Sequence, residues 1–449
     1  MTQASLFFPK RPYRTGGGVK LPHHKATADA PSVRMPPPAL VTLPMQQHVG
    51  APCRPVVRPG DPVFLGQVIG DSDRPVSAPI HASVSGTVKQ IVSVWMQNGQ
   101  AADAVVIESD GKMTPDPALA PPKCDTLPEL IAAVRASGLV GLGGAGFPAA
   151  VKLNVPVGKR IDTILINGAE CEPYITADTR EAIENSWDVL SGVHTLRELL
   201  GADRVIIGVE SNKPDAIAAL RAIADNSTDP EDRIRVLPLP CRYPQGAEKV
   251  LVQSCTGRVI PQGGLPADVG CLVMNLTSVA FLARYLKTGM PLVSKRVTVD
   301  GSAVAHPQNV IVPIGTAISE AISFCGGYRC PPTKLLLGGP MMGTTLPDDE
   351  LPIMKQSNAV LAFDASDGTL PIPSACIRCG RCVRACPMHL MPTMLERAAK
   401  AKDVPQLQHL SVMNCMECGS CAFECPASRP LVQAIRVGKG LVRAAQPRK

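Results

Sequence analysis

CIRCGRCVRACP, residues 376–387, and CMECGSCAFECP, residues 415–426, decide how this chain is read. Each has the spacing C-x2-C-x2-C-x3-C, and each ends in a proline, Pro387 and Pro426. Paired runs of this kind bind two [4Fe–4S] clusters. Three cysteines on one tight loop aim their thiolates at three irons of one cubane. The fourth is expected to start a helix that leads away, and to ligate the other cluster. Cluster one is therefore assigned to Cys376, Cys379, Cys382 and Cys425, and cluster two to Cys415, Cys418, Cys421 and Cys386. Structural zinc takes two C-x2-C pairs or cysteine–histidine mixtures instead. A chain with two such clusters moves single electrons.

Outward from these loops, the 449 residues suffice for two to four domains. The other cysteines (Cys53, Cys124, Cys171, Cys241, Cys255, Cys271, Cys325 and Cys330) show no disulfide framework, and the N-terminal MTQASLFFPKRPYR lacks an apolar signal core. A reducing, cytoplasmic compartment is expected. No apolar run reaches the length of a membrane span. The net charge of +7 is mild for this length, with no basic run interleaved with aromatics, so nucleic-acid binding is not expected.

Residues 1–40, with Pro36-Pro37-Pro38, read as an arm. Residues 41–125 carry short strands. Within them, 48–70 and 77–91 resemble the barrel-sandwich hybrids of biotinyl and lipoyl domains. The hairpin that carries the modified lysine there reads Ile80-His81-Ala82-Ser83 here, so a structural or docking module with His81 on the surface is expected. From Leu127 the pattern becomes α/β. Helices are predicted at 127–139, 180–201 and 213–226, and buried strands at 162–170 and 204–211. Such alternation implies a parallel sheet. Residues 286–345 return to short strands around one helix. Residues 346–372 read as a polar connector, 373–430 as the cluster module and 431–449 as a basic tail, solvated or in contact with a membrane surface or acidic partner.

The loop Gly138–Pro148 sets Gly141, Gly143 and Gly146 in G-x-G-x-x-G register. A helix rather than a strand precedes it, so it is not the usual dinucleotide fingerprint. The physics still operates: glycines admit phosphate close to backbone N–H groups, a helix N-terminus favours the anion, and Lys152 lies nearby. Asn167, Glu170 and Glu172 follow the first buried strand, where α/β sheets open a ligand crevice. Acids there can meet a ribose or a flavin edge, or cap the next helix.

GLGGAGFPAAVK, NGAECEP, YPQGAEKVL and VMNLTSVAFL, in this order, resemble the flavin- and NADH-binding subunit of respiratory complex I. The whole chain resembles the C subunits of the Rnf ion-translocating electron-transport complexes. That resemblance implies a multidomain α/β and α+β chain. Its parts would be a barrel-sandwich-like N-terminal domain, an α/β FMN/NADH domain over 126–285, a soluble-ligand-binding β-grasp domain and a two-cluster ferredoxin module. It implies FMN, NAD(H) and two [4Fe–4S] clusters as cofactors. Gly141, Gly143, Gly144 and Gly146 would cradle phosphate, with Lys152 assisting and Phe147 near the nicotinamide. Asn167, Glu170 and Glu172 would line the pocket, Gly246 and Glu248 would close it, and Asn275 would hold the flavin. Ala169 stands where the complex I protein has an acid, and two clusters rather than one follow the flavin domain. The A subunit of the sodium-pumping quinone reductase shares the N-terminal layout but lacks these cysteines.

The implied activity is NADH oxidation through FMN to the clusters, then on to membrane partners and a ferredoxin or flavodoxin. The implied location is the cytoplasmic face of the inner membrane, held peripherally. Two other readings compete: a soluble flavin enzyme feeding another oxidoreductase, and a redox adaptor without its own NADH site. One expectation comes from the loops themselves. Arg378, Arg381 and Arg384 flank cluster one, while Glu417 and Glu424 flank cluster two. Positive charge favours a reduced cluster, so cluster one is expected to have the higher potential.

Overall fold

Four apolar segments build a parallel sheet at the centre of the chain in this computed structural model, which describes residues 8–97, 99–224 and 233–446. The strands Ile234–Leu239, Arg204–Glu210, Thr163–Gly168 and Cys271–Asn275 lie side by side in that order. All pair in parallel. Both faces are covered, which is why the two central strands, Thr163–Gly168 and Arg204–Glu210, read as near-continuous apolar runs. Helices Ser186–Leu200, Pro214–Ala224 and Leu276–Thr288 pack on one face and Glu248–Thr256 on the other. The chain builds outward from Thr163–Gly168 to one side, then jumps to add Cys271–Asn275 on the other. The jump creates a switch point, where α/β sheets open a crevice at their carboxyl ends. Asn167 and Asn275 are register partners there.

The helix expected over 180–201 is two helices, Ala177–Glu184 and Ser186–Leu200. Asn185 breaks the run at φ −131°, its side-chain amide a poor match for a helix interior. The first begins ahead of expectation because the Glu170 carboxylate receives the N–H groups of Asp178 and Thr179. Of the helix predicted at 213–226, Asp225 and Asn226 lie outside the described residues.

The N-terminal domain pairs a four-stranded antiparallel sheet (Leu40–Pro44, Ala101–Ser109, Gly86–Trp95, Pro62–Val63) with a three-stranded one (Arg54–Pro55, Val68–Asp71, Ile80–His81). Its core is continuous with that around helix Leu127–Ala136. The hairpin turn expected at the surface is buried instead. His81 is 4% exposed, and burial pushes its imidazole down to about 3. Ser83 donates to the Ile314 carbonyl. The buried Lys355 ammonium donates to Pro79 and Gly138 carbonyls at 2.6 and 2.7 Å, tying three parts of the chain together. The turn that swings freely in lipoyl-type domains is here a docking joint.

The third unit is a six-stranded mixed sheet ordered Val33–Arg34, Gln308–Pro313, Ser294–Asp300, Ala359–Phe363, Lys334–Leu337, Thr344–Leu346. Two strands come from segments read otherwise. The connector 346–372 supplies Ala359–Phe363, buried throughout and paired with strands on both sides. The arm supplies Val33–Arg34. The rest of the described arm straps the molecule: Val19 bridges Tyr243, Gly18 donates to Ala385, and Lys25 inserts beneath 170–175. The first seven residues lie outside the described residues.

In the C-terminal module the fourth cysteine of each run ends a short helix rather than starting one. Cys386 caps Arg381–Ala385, Cys425 follows Ser420–Phe423, and the next helices begin at Pro392 and Leu431. The basic tail is mostly the helix Leu431–Ala444, which buries Ile435 and Val442 against helices Pro392–Lys400 and Val404–His409, and Leu431 and Val432 beside Cys382 and Cys421. Residues 447–449 lie outside the described residues. Among the described residues, no helix is long and apolar enough to cross a membrane.

Candidate functional site

At the switch point the segments 141–147, 167–172, 243–248 and 273–278 enclose a cleft of roughly 520 Å³. It is lined by Gly141, Gly143, Gly144, Phe147, Lys152, Asn167, Glu170, Glu172, Gly246, Glu248 and Asn275. Of the residues expected to form the site, Gly146 alone faces elsewhere, into a larger groove against the N-terminal domain.

The glycine loop is closed at its neck, where Gly141 donates to the Phe147 carbonyl at 2.8 Å and Gly146 to the Gly141 carbonyl. Two buried side chains hold its back: Ser278 Oγ accepts from Leu142 N at 3.0 Å, and Lys295 Nζ donates to the Leu142 carbonyl at 2.6 Å. Burial lowers the Lys295 ammonium to about 8. Gly144, at φ +109°, needs a backbone that side chains resist. A Cβ on Gly143 would come within 3.0 Å of Asn275 Nδ2. Among the described residues, none accepts from the N–H groups of Gly143, Gly144 or Ala145. Orphan donors beside glycine form an anion cradle. Lys152, four residues past Pro148, pairs with Glu248 at 2.7 Å across the cleft. Its remaining N–H groups can still meet an anion.

On the floor, Asn167 Nδ2 donates to the Gly246 carbonyl at 2.9 Å and its Oδ1 accepts from Ala169 N. A Cβ on Gly246 would meet the Ala169 carbonyl at 2.4 Å, so only glycine fits. Asn275 caps helix Leu276–Thr288 through Ser278 N and donates to Asp178 at 2.8 Å. Its Oδ1 also accepts from Ser278 Oγ, and one N–H of that amide remains for a ligand. Glu170 is a helix cap: beyond two N–H groups it accepts from Thr179 Oγ1 at 2.7 Å, and burial raises its pKa. Glu172 turns the other way. It accepts from Met341 N and Met342 N at 3.0 and 2.9 Å and lies 3.4 Å from the Tyr243 hydroxyl, and burial raises it to about 7.

Sequence reasoning missed the far wall. Gly338, Gly339, Met342, Gly343 and Asn358 of the mixed sheet close the cleft opposite the glycine loop. A Cβ on Gly339 would sit 2.3 Å from the Glu172 carboxylate. The GGPMMG of residues 338–343 carried the signal, glycines spaced as in a close-approach loop. Also missed was Lys25, whose ammonium donates to the carbonyls of Glu170, Glu172 (2.7 Å) and Ile175 and pins the floor turn. No motif surrounds Lys25 to signal this. Gln356 reaches both the cleft and the groove, and its buried Oε1 finds no partner among the described residues.

Beyond the cleft lie two cysteine-lined cavities. Cys376, Cys379, Cys382 and Cys425 surround one, of roughly 150 Å³, and Cys386, Cys415, Cys418 and Cys421 surround the other. These are the crossed sets read from the spacing. The cysteines ring a cavity rather than a point: among the described residues, no three His, Cys, Asp or Glu groups converge as for a lone ion. Met416 lines both the second cavity and the cleft. The first cavity shares no lining residue with the cleft.

A nucleotide-type cleft at a sheet switch point, backed by two four-cysteine cavities, defines a flavin-domain iron–sulfur electron-transfer protein. Comparison with known proteins agrees unit by unit. Residues 13–112 match the RnfC barrel sandwich hybrid domain, 134–284 the Nuo51 FMN-binding domain, 296–345 the SLBB domain and 375–428 the 4Fe-4S dicluster domain. The chain is 43% identical over 430 residues to the C subunit of the proton-translocating ferredoxin:NAD(+) oxidoreductase complex of Clostridium ljungdahlii, covering 95% of this chain and 93% of that one. It is 42% identical to the Na(+)-translocating counterpart of Acetobacterium woodii, covering 96% and 98%. It is 39% identical to the C subunit of the ion-translocating oxidoreductase complex of Rhodobacter capsulatus, covering 99% and 86%. The chain belongs to this family, the C subunits of Rnf-type ion-translocating oxidoreductase complexes. A solved NAD+-reducing [NiFe]-hydrogenase shares the fold at TM-score 0.50 and 18% identity, covering 72% of this chain and 64% of that one.

Proposed function

We propose that this chain is the electron-input subunit of an ion-translocating oxidoreductase, oxidising NADH at the switch-point cleft and delivering single electrons through cluster two, then cluster one, to partner subunits. Two of the relatives named above are subunits of ion-translocating ferredoxin:NAD(+) oxidoreductase complexes, which supports a membrane-bound assembly with ferredoxin, or a flavodoxin in its place, as the terminal carrier. The chain would sit peripherally on the cytoplasmic face, held by those partners.

One observation carries the order of transfer: Met416 is shared by the cleft and the cluster-two cavity. The cleft suits FMN by its donor set. Orphan N–H groups at Gly143 to Ala145 and the Lys152 ammonium would meet its phosphate. The half-used amide of Asn275 and the orphan Gln356 Oε1 would meet polar edges of its ring. When bound, FMN supplies the conversion between two-electron hydride chemistry and one-electron clusters.

The chain's own work is positioning. Gly246 lets its turn press onto the Ala169 carbonyl and Gly143 lets the loop close on Asn275, which shapes the cleft, and Phe147, about one-third exposed, offers the nicotinamide an apolar face. Glu172, poised near 7, can hold or release a proton at the cleft floor. The Met341–Met342 segment above it lies between that floor and Gly419 of the cluster-two loop.

The test is an anaerobic NADH titration of the cluster-reconstituted protein with added FMN. Bleaching of flavin and cluster absorbance together is the expected result. Reduction by dithionite but not by NADH would leave a redox relay and overturn the reading.

A further inference from the structure

The two cysteine cavities differ in what covers them. Every residue from Thr369 to Cys379 is exposed, including the ligands Cys376 and Cys379. Leu370, Ile372 and Ile377 stand in that segment at 74, 92 and 68% exposure. Arg378, Arg381 and Arg384 are exposed beside them. Among the described residues none of the three makes an ion pair, and the one contact of their guanidinium groups is Arg384 to the Cys379 carbonyl at 3.3 Å. No acidic residue occurs between Thr369 and Cys386.

Apolar side chains ringed by unpaired cations, over a redox centre left at the surface, are the makings of a transient electron-transfer interface. We infer that this face docks an acidic protein domain carrying its own one-electron centre. The inference rests on the electron-input reading and adds to it where electrons leave and what receives them. Each NADH oxidised to NAD+ and a proton supplies two electrons. A cluster held by Cys376, Cys379, Cys382 and Cys425 would pass them on singly, losing one electron for each one that the partner's centre gains. A lipid surface is the poorer occupant, because it would cover Cys376 and Cys379 with hydrocarbon and leave the electron no acceptor within reach.

The test uses the cluster- and flavin-loaded full chain and its R378Q/R381Q/R384Q variant. The probes are an acidic two-cluster ferredoxin, basic cytochrome c, and phosphatidylglycerol vesicles, each followed by direct binding. The wild type is expected to bind the ferredoxin, to lose at least tenfold in affinity between about 50 and 200 mM salt, and to ignore cytochrome c. The variant is expected to lose about tenfold at low salt with cluster absorbance unchanged. Should the arginine variant fail to hold its clusters, I372E at a fully solvated position provides a second reading: the same loss of ferredoxin affinity is expected. Equal binding by wild type and variants would overturn the inference, as would vesicle binding through the arginines with no ferredoxin binding. NADH-dependent bleaching of flavin, read in the same samples, separates the two proposals. Its absence in the wild type removes the electron-input reading, while the binding data still decide the docking face.

Discussion

The two cysteine loops are near copies in sequence and opposites in setting. Both place glycine after the second cysteine, Gly380 at φ +74° and Gly419 at φ +81°. A Cβ on Gly380 would meet only the flexible tip of Arg384 at 3.4 Å, whereas one on Gly419 would press the Met341 carbonyl at 3.0 Å. The first loop ends in solvent. The second is walled by the segment that closes the cleft and by a strap from the N-terminus. Spacing sets what a cysteine run can bind, and packing sets which way it faces. Here one loop faces inward toward a cleft and the other outward.

The strap offers the hardest test of that contrast. Gly17, at φ +63°, lies so close to Cys386 that a Cβ would stand 2.5 Å from its carbonyl carbon and oxygen. Neither backbone can retreat, because Gly18 donates to Ala385 at 2.8 Å on the next residue. Gly17→Val is therefore expected to displace a cluster-two ligand and leave cluster one intact, removing about half of the iron. Iron analysis with EPR of the reduced protein decides it. Full iron content with two unaltered cluster signals would mean the strap is not part of the cluster-two wall.

A second test lies on the inner side alone. The Glu172 carboxyl is raised to about 7 by burial, against an ordinary value near 4.5. Between those values the folded chain holds a proton that the unfolded chain has lost, so this group reduces stability as pH rises through that window. Glu172→Gln removes the titration and keeps the shape. The variant should gain on the wild type by roughly 2–3 kcal/mol from pH 4.5 to pH 8. Denaturant unfolding of both proteins across that range checks the sign. A constant difference would mean that the folded carboxyl titrates where the unfolded one does, its burial offset by the N–H groups of Met341 and Met342.

Much of this contrast could be read from the chain and some could not. The crossed cysteine sets, the parallel sheet, the glycine loop and the acids after the first strand follow from local spacing and from apolar runs, whereas Phe147, Gly246, Glu248 and Asn275 rest on the family resemblance. Periodicity and motif carry such features. What failed was long-range. Residues 1–40 looked like a linker because proline and polar residues dominate them, yet Lys25 pins the cleft floor and Val33–Arg34 add a strand. The strand Ala359–Phe363 was lost in a polar surround, and the tail helix looked solvated because Arg436, Lys439 and Arg443 interrupt the apolar stripe that buries it. Glu170 illustrates a third kind of miss. Both of its roles were legible, but only tertiary placement shows that its carboxylate is spent on the first turn of a helix.

The glycines give a smaller, paired measurement. Gly380→Ala and Gly419→Ala share the cost of a left-handed backbone, about 1 kcal/mol each. Only the second adds a backbone contact. Gly419→Ala is expected to lower the guanidinium midpoint of cluster bleaching further, by an amount equivalent to roughly another 1 kcal/mol. Equal midpoints would show that Met341 yields freely and that the inner wall is soft.

The finest test concerns potentials, where the structure revises the expectation from charge counting. Glu417, counted as a negative charge beside cluster two, is paired with both Arg436 at 2.7 Å and Lys439. Lys439 is 11% exposed and also donates to the Cys415 carbonyl at 3.0 Å. Glu417 is therefore offset, and Glu424 sits beside Cys425 of the cluster-one set. The electrostatics that distinguish the clusters then rest on Arg378, Arg381 and Arg384, set against Glu424 beside the same cluster. Those three arginines are solvated, so screening limits each to a small effect. Lys439 is almost enclosed by protein and acts through a lower effective dielectric. Replacing the three arginines by glutamine should lower the cluster-one potential by only tens of millivolts, more at low salt than at high. Lys439→Gln should lower the cluster-two potential by more than any single arginine lowers that of cluster one. EPR-monitored redox titration of each variant reads both shifts. If one exposed arginine outweighed Lys439, the burial that distinguishes the loops would not be what sets their electrostatics.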